Sequence, residues 1–241
     1  MKLFRFLLVI GIFAGLTLAT GCSSFDFNNP SASEWDVQIV GDSVFDLSGD
    51  IQKQLKVLSG GKTYKDRSVS GAKIAAIQSQ LNTALGRTTL KTVIGDGGAN
   101  DILQGTADCT QNPPTLPCQD VLNYVGDKVE VMLNAAYAKS PNNCVWMGYY
   151  HVKGSEAPKN YAIDWAYINI YPGIFPSTFT NGSYSTSAVI FDSTFKALFL
   201  DTRPNISDVH LKSDNIHPTT AGSNILAGLI WNAMVNGSMY R

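Results

Sequence analysis

No stretch of this 241-residue sequence concentrates lysine or arginine. Eighteen basic residues stand against 19 acidic ones, for a formal charge of -1, without the basic stripe that holds a nucleic-acid backbone. No nucleic-acid partner is expected. The motifs of metal proteins are missing as well: there is no H-E-x-x-H, no EF-hand loop and no paired C-x-x-C. Internal repeats, heptads and low-complexity tracts are also absent. What remains is a chain that is 44% hydrophobic and only 15% charged, which is the composition of a globular protein. Its length suits one domain of ordinary size.

The first residues stand apart from the rest. Lys2 and Arg5 form a short positive region, followed by the uncharged apolar run "FLLVIGIFAGLTLA". That run matches the hydrophobic part of a signal peptide and falls short of the ~20 residues that span a bilayer. It ends in "LATGC", small residues directly before Cys22, which resembles a bacterial lipoprotein signal. The resemblance implies cleavage after residue 21 and a lipid on Cys22. Ala19 occupies the position where such signals usually carry leucine, and a plain secretory signal or an uncleaved anchor stands as the alternative. Ser23, rather than an aspartate, after the cysteine suits an outer-membrane destination in a host with two membranes. Residues 22–35 include "CSSFDFNNPSAS", polar and turn-rich, and read as a flexible tether. The folded domain is then expected over residues 36–241.

The other three cysteines fit export. Cys109 and Cys118 bracket "TQNPPTLP", a short proline-rich loop suited to a disulfide in an oxidising compartment. Cys144 lies in the apolar run "NNCVWMGYYHV" and reads as a buried free thiol.

Along the domain, strand-like and helix-like runs alternate. "WDVQIVGDS" is a continuous apolar strand ending in a turn, and "IQKQLKVLSG" has helical spacing with a glycine stop. "KTYKDRSVSG" reads as a second strand. In the following "AKIAAIQSQLNTALG", Ile74, Ile77, Leu81 and Leu85 share one helix face. "TLKTVIGDGGAND" is a third strand, "VLNYVGDKVEVMLNAAYAK" a helix, "NNCVWMGYYHV" a fourth strand, "FKALFLDTRP" a fifth, and "TTAGSNILAGLIWNAMV" the closing helix. This alternation predicts a flavodoxin-like three-layer α/β sandwich, with a five-stranded, mostly parallel sheet and helices on both faces. A site in such a sheet belongs outside the carboxyl ends of its strands.

Three polar segments fall where that rule requires, "GDSVFD" at 41–46, "SVSGAK" at 68–73 and "GAND" at 98–101, and a fourth, "SDNIHPT" at 213–219, sits just before the last helix. Each is weak alone. Together and in this order, across residues 37–234, they resemble the SGNH or GDSL-type hydrolase family. Acyl transfer to water needs a serine whose proton a base can take, and Ser43 and His217 supply that pair. Asp214, three residues before His217, can curl back to hold the imidazole in one tautomer. The resemblance assigns Ser43, His217 and Asp214 as the catalytic triad. It assigns the oxyanion hole to the backbone N–H of Ser43, the backbone N–H of Gly71 and the side-chain amide of Asn100. No metal or organic cofactor is implied.

Structural readings of the same residues remain open at this level. Asn100 and Asp101 suit a helix cap or turn, Gly71 suits tight strand-to-helix packing, and His217 before Pro218 suits a helix start. His151 and His210 compete as the base but lack an acid at the D-x-x-H spacing. A metal cluster of Asp96, Asp101, Asp214 and His217 is the remaining chemical alternative. The pattern departs at Asn215, where a glycine is common, and in the extra glycines of "IGDGGAND", which bear on Asn100.

Substrate is less legible. Residues 149–191 are rich in aromatics, among them Tyr150, Tyr161, Trp165, Tyr167, Tyr171, Phe175, Phe179 and Tyr184. Long aperiodic segments after a strand are often binding loops or lids, and the alternative is a secondary core. The expected activity is ester hydrolysis, on an acylated glycan, a lipid or a small ester, at a bacterial cell envelope. A non-catalytic lipoprotein of the same fold that binds a glycan or a partner protein is the competing class.

Overall fold

A computed structural model describes residues 36–139, 143–175 and 196–241, with the backbone of 179–180, 183–184 and 189–190. The predicted signal peptide, Cys22 and the tether lie outside the described residues.

Five parallel strands make the centre: β1 (Val37–Val40), β2 (Lys65–Asp66), β3 (Thr92–Gly95), β4 (Asn143–Met147) and β5 (Lys196–Leu200). Their order is β2-β1-β3-β4-β5, and a two-residue strand, Val189–Ile190, pairs antiparallel on the outer edge of β5. The expected five-stranded, mostly parallel sheet is thus the observed one. Its order reverses between β1 and β3, which is the crevice where doubly wound sheets hold ligands.

Apart from the short edge strand β2, the strands are mostly apolar because both faces are covered. Side chains alternate between two cores along each strand. Val93, Cys144, Trp146, Ala197 and Phe199 join one core, with Ile77, Leu81, Leu122, Val129 and Met132. Ile94, Val145, Met147, Leu198 and Leu200 join the other, with Ile51, Leu55, Leu226 and Ile230. The first layer is formed by α3 (Ile74–Leu85) and α5 (Leu116–Tyr137), the second by α2 (Asp50–Leu58) and α8 (Thr220–Asn236).

Two of the helices start on local signals and one on a distant residue. Thr219 accepts the Gly222 amide at the start of α8, and a proline lies in the first turn of α5, where its missing N–H costs nothing. Lys73 offers α3 no side-chain cap. The Ile74 amide is instead taken by Asp101, at 2.8 Å, from the short helix α4 (Ala99–Leu103). The aspartate of GAND therefore fastens α4 to α3.

Cys109 and Cys118 are bonded, with Cα atoms 5.2 Å apart, and both are buried. Closing this short loop contributes roughly 2–3 kcal/mol by chain entropy. Cys144 is a buried free thiol, and burial pushes its pKa up to about 12.

The aromatic segment after β4 is not a structureless loop over its described part. Gly154–Lys159 forms a 3-10 turn that leads into α6 (Asn160–Asn169), and Tyr171–Ile174 forms a short α7. Tyr167, Tyr171 and Phe175 pack on Phe199 of β5, with ring centroids 4.4–5.3 Å from it. These three belong to the core, while Tyr161 is exposed. The Phe179 and Tyr184 side chains lie outside the described residues.

Candidate active site

β1 runs out at Gly41, and the chain turns at once into the one-turn helix α1 (Ser43–Asp46). Asp42 caps this helix by accepting the Val44 amide at 3.0 Å. Ser43 is the first helical residue, so the helix leaves its amide without an intrahelical acceptor. Gln80 of α3 clamps the turn from behind. Its side-chain oxygen accepts the Gly41 N–H at 2.8 Å, and its nitrogen donates to the Gly41 carbonyl at 3.0 Å.

Ser43 Oγ lies 2.8 Å from His217 Nε2. His217 Nδ1 lies 2.9 Å from Asp214 Oδ2. The other oxygen of Asp214 accepts the backbone amides of Ile216 and His217, at 3.0 and 2.9 Å. Partial burial raises this carboxyl, but those amides and the His217 ring outweigh it and hold the pKa at about 2. The turn carrying both residues passes through Asn215 at φ 69°. That left-handed conformation suits glycine, and asparagine is the side chain that tolerates it best.

Gly71 has φ 78°, again the left-handed region. Its turn is tied to α1 by Asp46, which accepts both the amide and the hydroxyl of Ser70, at 2.8 and 2.7 Å. No protein acceptor takes the amide of Ser43 or of Gly71 among the described residues. Asn100 is buried and fully engaged. Its amide nitrogen donates to Asp42 Oδ2 and to the Ala72 carbonyl, both at 3.2 Å. Gln104 donates to the Asn100 oxygen at 2.9 Å and to the Gly71 carbonyl at 3.2 Å. The extra glycines therefore do not carry Asn100 away from Ser43, but they leave its hydrogens committed to neighbours at the long end of the hydrogen-bond range.

Two acids stand behind Ser43: Asp42, which the sequence does not mark out, and Asp96, which it offers only as a possible metal ligand. Asp42 accepts the Tyr149 hydroxyl at 2.5 Å as well as Asn100 and Val44. Burial raises its pKa, opposed by the Tyr149 and Val44 hydrogen bonds. Asp96, at the end of β3, is wholly buried and accepts the Asp42 amide at 3.0 Å. Among the described residues its second oxygen has no hydrogen-bond partner. Burial first, and then the charge of Asp42, push its pKa well above the carboxylate range.

A prediction follows from the sign of the Asp96 shift. Folded protein keeps a proton that the unfolded chain releases above about pH 4. Asp96 therefore lowers stability as pH rises from there to its folded pKa, by at most about 1.4 kcal/mol per pH unit. Asp96→Asn keeps an oxygen for the Asp42 amide but cannot ionise. Urea unfolding from pH 3 to pH 8 is expected to show the variant gaining on the parent as pH rises. A difference that stays constant across that range would refute the raised pKa.

The competing histidines are occupied elsewhere. His151 Nε2 pairs with Asp164 at 2.8 Å, and that carboxylate also takes Arg203 at 2.8 Å. His210 bonds to Ser207 within its own 3-10 turn. Among the described residues, no group of three or more His, Cys, Asp or Glu is placed to hold a metal ion.

A serine hydroxyl on an imidazole that is in turn held by a carboxylate can pass its proton to the ring as it attacks a carbonyl. The chain that carries this arrangement has the fold of the SGNH/GDSL-type hydrolases. No protein-family model and no curated protein sequence matches it. Solved structures do. A GDSL-like lipase from Bacteroides thetaiotaomicron is 15% identical, with TM-score 0.59 over 87% of this chain and 92% of that one. A carbohydrate esterase of family 3 from Talaromyces cellulolyticus is 16% identical, with TM-score 0.56 over 83% and 96%. An acetylxylan esterase from Geobacillus stearothermophilus, as a catalytic mutant, is 15% identical, with TM-score 0.57 over 82% and 93%. The likeness to these ester hydrolases is one of fold.

Proposed function

We propose that this protein is a serine hydrolase of carboxylic esters. The observation that carries the reading is the unbroken series Ser43 Oγ, His217 Nε2, His217 Nδ1 and Asp214 Oδ2, with contacts of 2.8 and 2.9 Å.

In this mechanism Ser43 Oγ attacks the ester carbonyl while its proton moves to His217 Nε2. The resulting imidazolium is stabilised by the anionic Asp214. The tetrahedral oxyanion takes the free N–H groups of Ser43 and Gly71, and Asn100 turns one hydrogen from the Ala72 carbonyl or Asp42 toward it. Collapse expels the alcohol, which receives the proton from His217 and leaves an acyl-Ser43 ester. Water, deprotonated by His217, attacks that ester and releases the carboxylic acid, returning the proton to Ser43.

The sequence of residues 1–35 adds a location. Export, with Cys22 carrying a lipid, would hold the domain by its tether at a bacterial envelope membrane, the outer one where the host has two. The Cys109–Cys118 disulfide is consistent with an oxidising compartment.

The test is labelling of the domain with a fluorophosphonate, alongside turnover of p-nitrophenyl esters in the presence and absence of a chelator. One adduct per chain on Ser43, with turnover blocked by the label and untouched by chelation, is expected. A folded protein that neither labels nor turns over any ester would overturn the reading.

A further inference from the structure

Beside Ser43 an open cleft of about 820 Å³, solvent at its mouth included, runs in among the helices. Ile102 and Leu103 of α4 wall it, followed by Leu122 and Val125 of α5, and by Ala162 and Ala166 of α6. The last four are core residues, so the cleft enters the protein interior rather than lying along the surface.

Most of the polar side chains in its wall are already used. Its charged residues are Asp42 and Lys159. Asp42 is held by Val44, Asn100 and Tyr149 as described above, and Lys159 pairs with Glu156 at 2.6 Å. Tyr149 donates its hydroxyl to Asp42, Tyr150 to the Ile216 carbonyl at 2.9 Å, and Tyr167 to the Tyr149 carbonyl at 3.0 Å. These tyrosines therefore offer the cleft ring carbons and not free hydroxyls. A sugar lodged here would give up its hydrogen bonds to water with little in return, which is costly for every hydroxyl buried. A hydrocarbon chain would lose nothing and gain the burial of each methylene.

Orientation follows from the proton. The leaving alcohol must face His217 Nε2 to be protonated, and neither His217 nor Asp214 lines this cleft, although Asp42, Ser43 and Asn100 do. The half of the ester on the cleft side is therefore the acyl half. Ala162 and Ala166, four apart on α6, stand one above the other on one helix face, and their short side chains leave the space a chain would take.

We propose that the cleft is an acyl-chain site and that the natural substrate is an ester of a medium or longer straight-chain acid, not an acetate. This rests on Ser43 being the nucleophile. Such a preference would set the protein apart from the acetylesterases whose fold it shares.

The experiment measures kcat/KM on p-nitrophenyl esters from acetyl to decanoyl, where the leaving group stays constant. Burial of each methylene is expected to raise kcat/KM about fourfold. Going from acetyl to hexanoyl should then give a rise of about two orders of magnitude. A parallel series of acetates of longer alcohols should show no such slope. In Ala166→Leu, or in Ile163→Phe at the half-buried edge of the cleft, the octanoyl-to-acetyl ratio is expected to fall at least tenfold. A parent profile that is flat or highest at acetyl, or a slope that follows the alcohol instead, overturns the acyl site while leaving the esterase reading intact. Absence of turnover at every length, with Ser43 unlabelled by fluorophosphonate, overturns both.

Discussion

Replacing Ser43 by alanine is expected to lower kcat on p-nitrophenyl esters by about 10⁴–10⁶-fold with little change in KM, as it does where a serine triad acts. The loss should fall on the chemical step because the hydroxyl makes no structural bond. Among the described residues its one hydrogen-bonding partner is His217 Nε2, and the cap of α1 is Asp42, not Ser43. Alanine at the first helical position is well tolerated, so the variant should fold, which near-ultraviolet circular dichroism would verify. Some catalysis would survive, since the amides of residues 43 and 71 would still receive an oxyanion and His217 could activate water. A folded Ser43→Ala protein keeping more than about 1% of kcat would show that the carbonyl is attacked by something else, and the serine mechanism would have to be withdrawn.

The nucleophile turn also shows where sequence reading stops. Strands β1, β3, β4 and β5 stand out in the sequence because burial on both faces demands largely apolar runs. The 3.6-residue spacing of Ile74, Ile77 and Leu81 likewise points to α3. The D-x-x-H turn is local, three residues long, and legible for that reason. What holds Ser43 in place is not local. Gln80 reaches Gly41 across 39 positions, Asp96 reaches Asp42 across 54, and Tyr149 reaches Asp42 across 107. Nothing in the spacing of these residues marks them, since each contact depends on the packing of a different pair of elements. A buried aspartate at the end of an apolar strand was the one available signal for Asp96.

Helix α6 was missed for a different reason. A helix with one wet face shows a period in its apolar residues. Buried Ala162, Ala166 and Tyr167 fall in register, but Ile163 and Trp165 are also partly covered, while Ile168 is exposed. Its pattern is blurred because one side meets the core and another forms the cleft wall. The same fact settles the choice left open for the described aromatics: Tyr167 and Tyr171 serve as core and as cleft wall together.

Asp214→Asn is expected to lower kcat by about 10²–10⁴-fold, and by more than Asp214→Ala does. The geometry gives the reason. Asp214 Oδ1 accepts two backbone amides, from Ile216 and His217, while Oδ2 faces His217 Nδ1. An asparagine must keep its oxygen on the two amides, because its NH₂ group cannot accept from them. The NH₂ is then left facing Nδ1, which must accept, so the ring proton moves to Nε2. A ring protonated there donates to Ser43 and cannot take its proton. Alanine leaves the tautomer free and admits water, so it should cost less. Because Asp214 is held at about 2, it stays anionic across the working range. Protonation of this carboxylate therefore cannot explain any loss of activity seen between pH 4 and pH 7. Steady-state kinetics of both variants would decide the matter. Should Asp214→Asn retain activity within tenfold of the parent, or exceed Asp214→Ala, the carboxylate would not be setting the tautomer and its place in the mechanism would be lost.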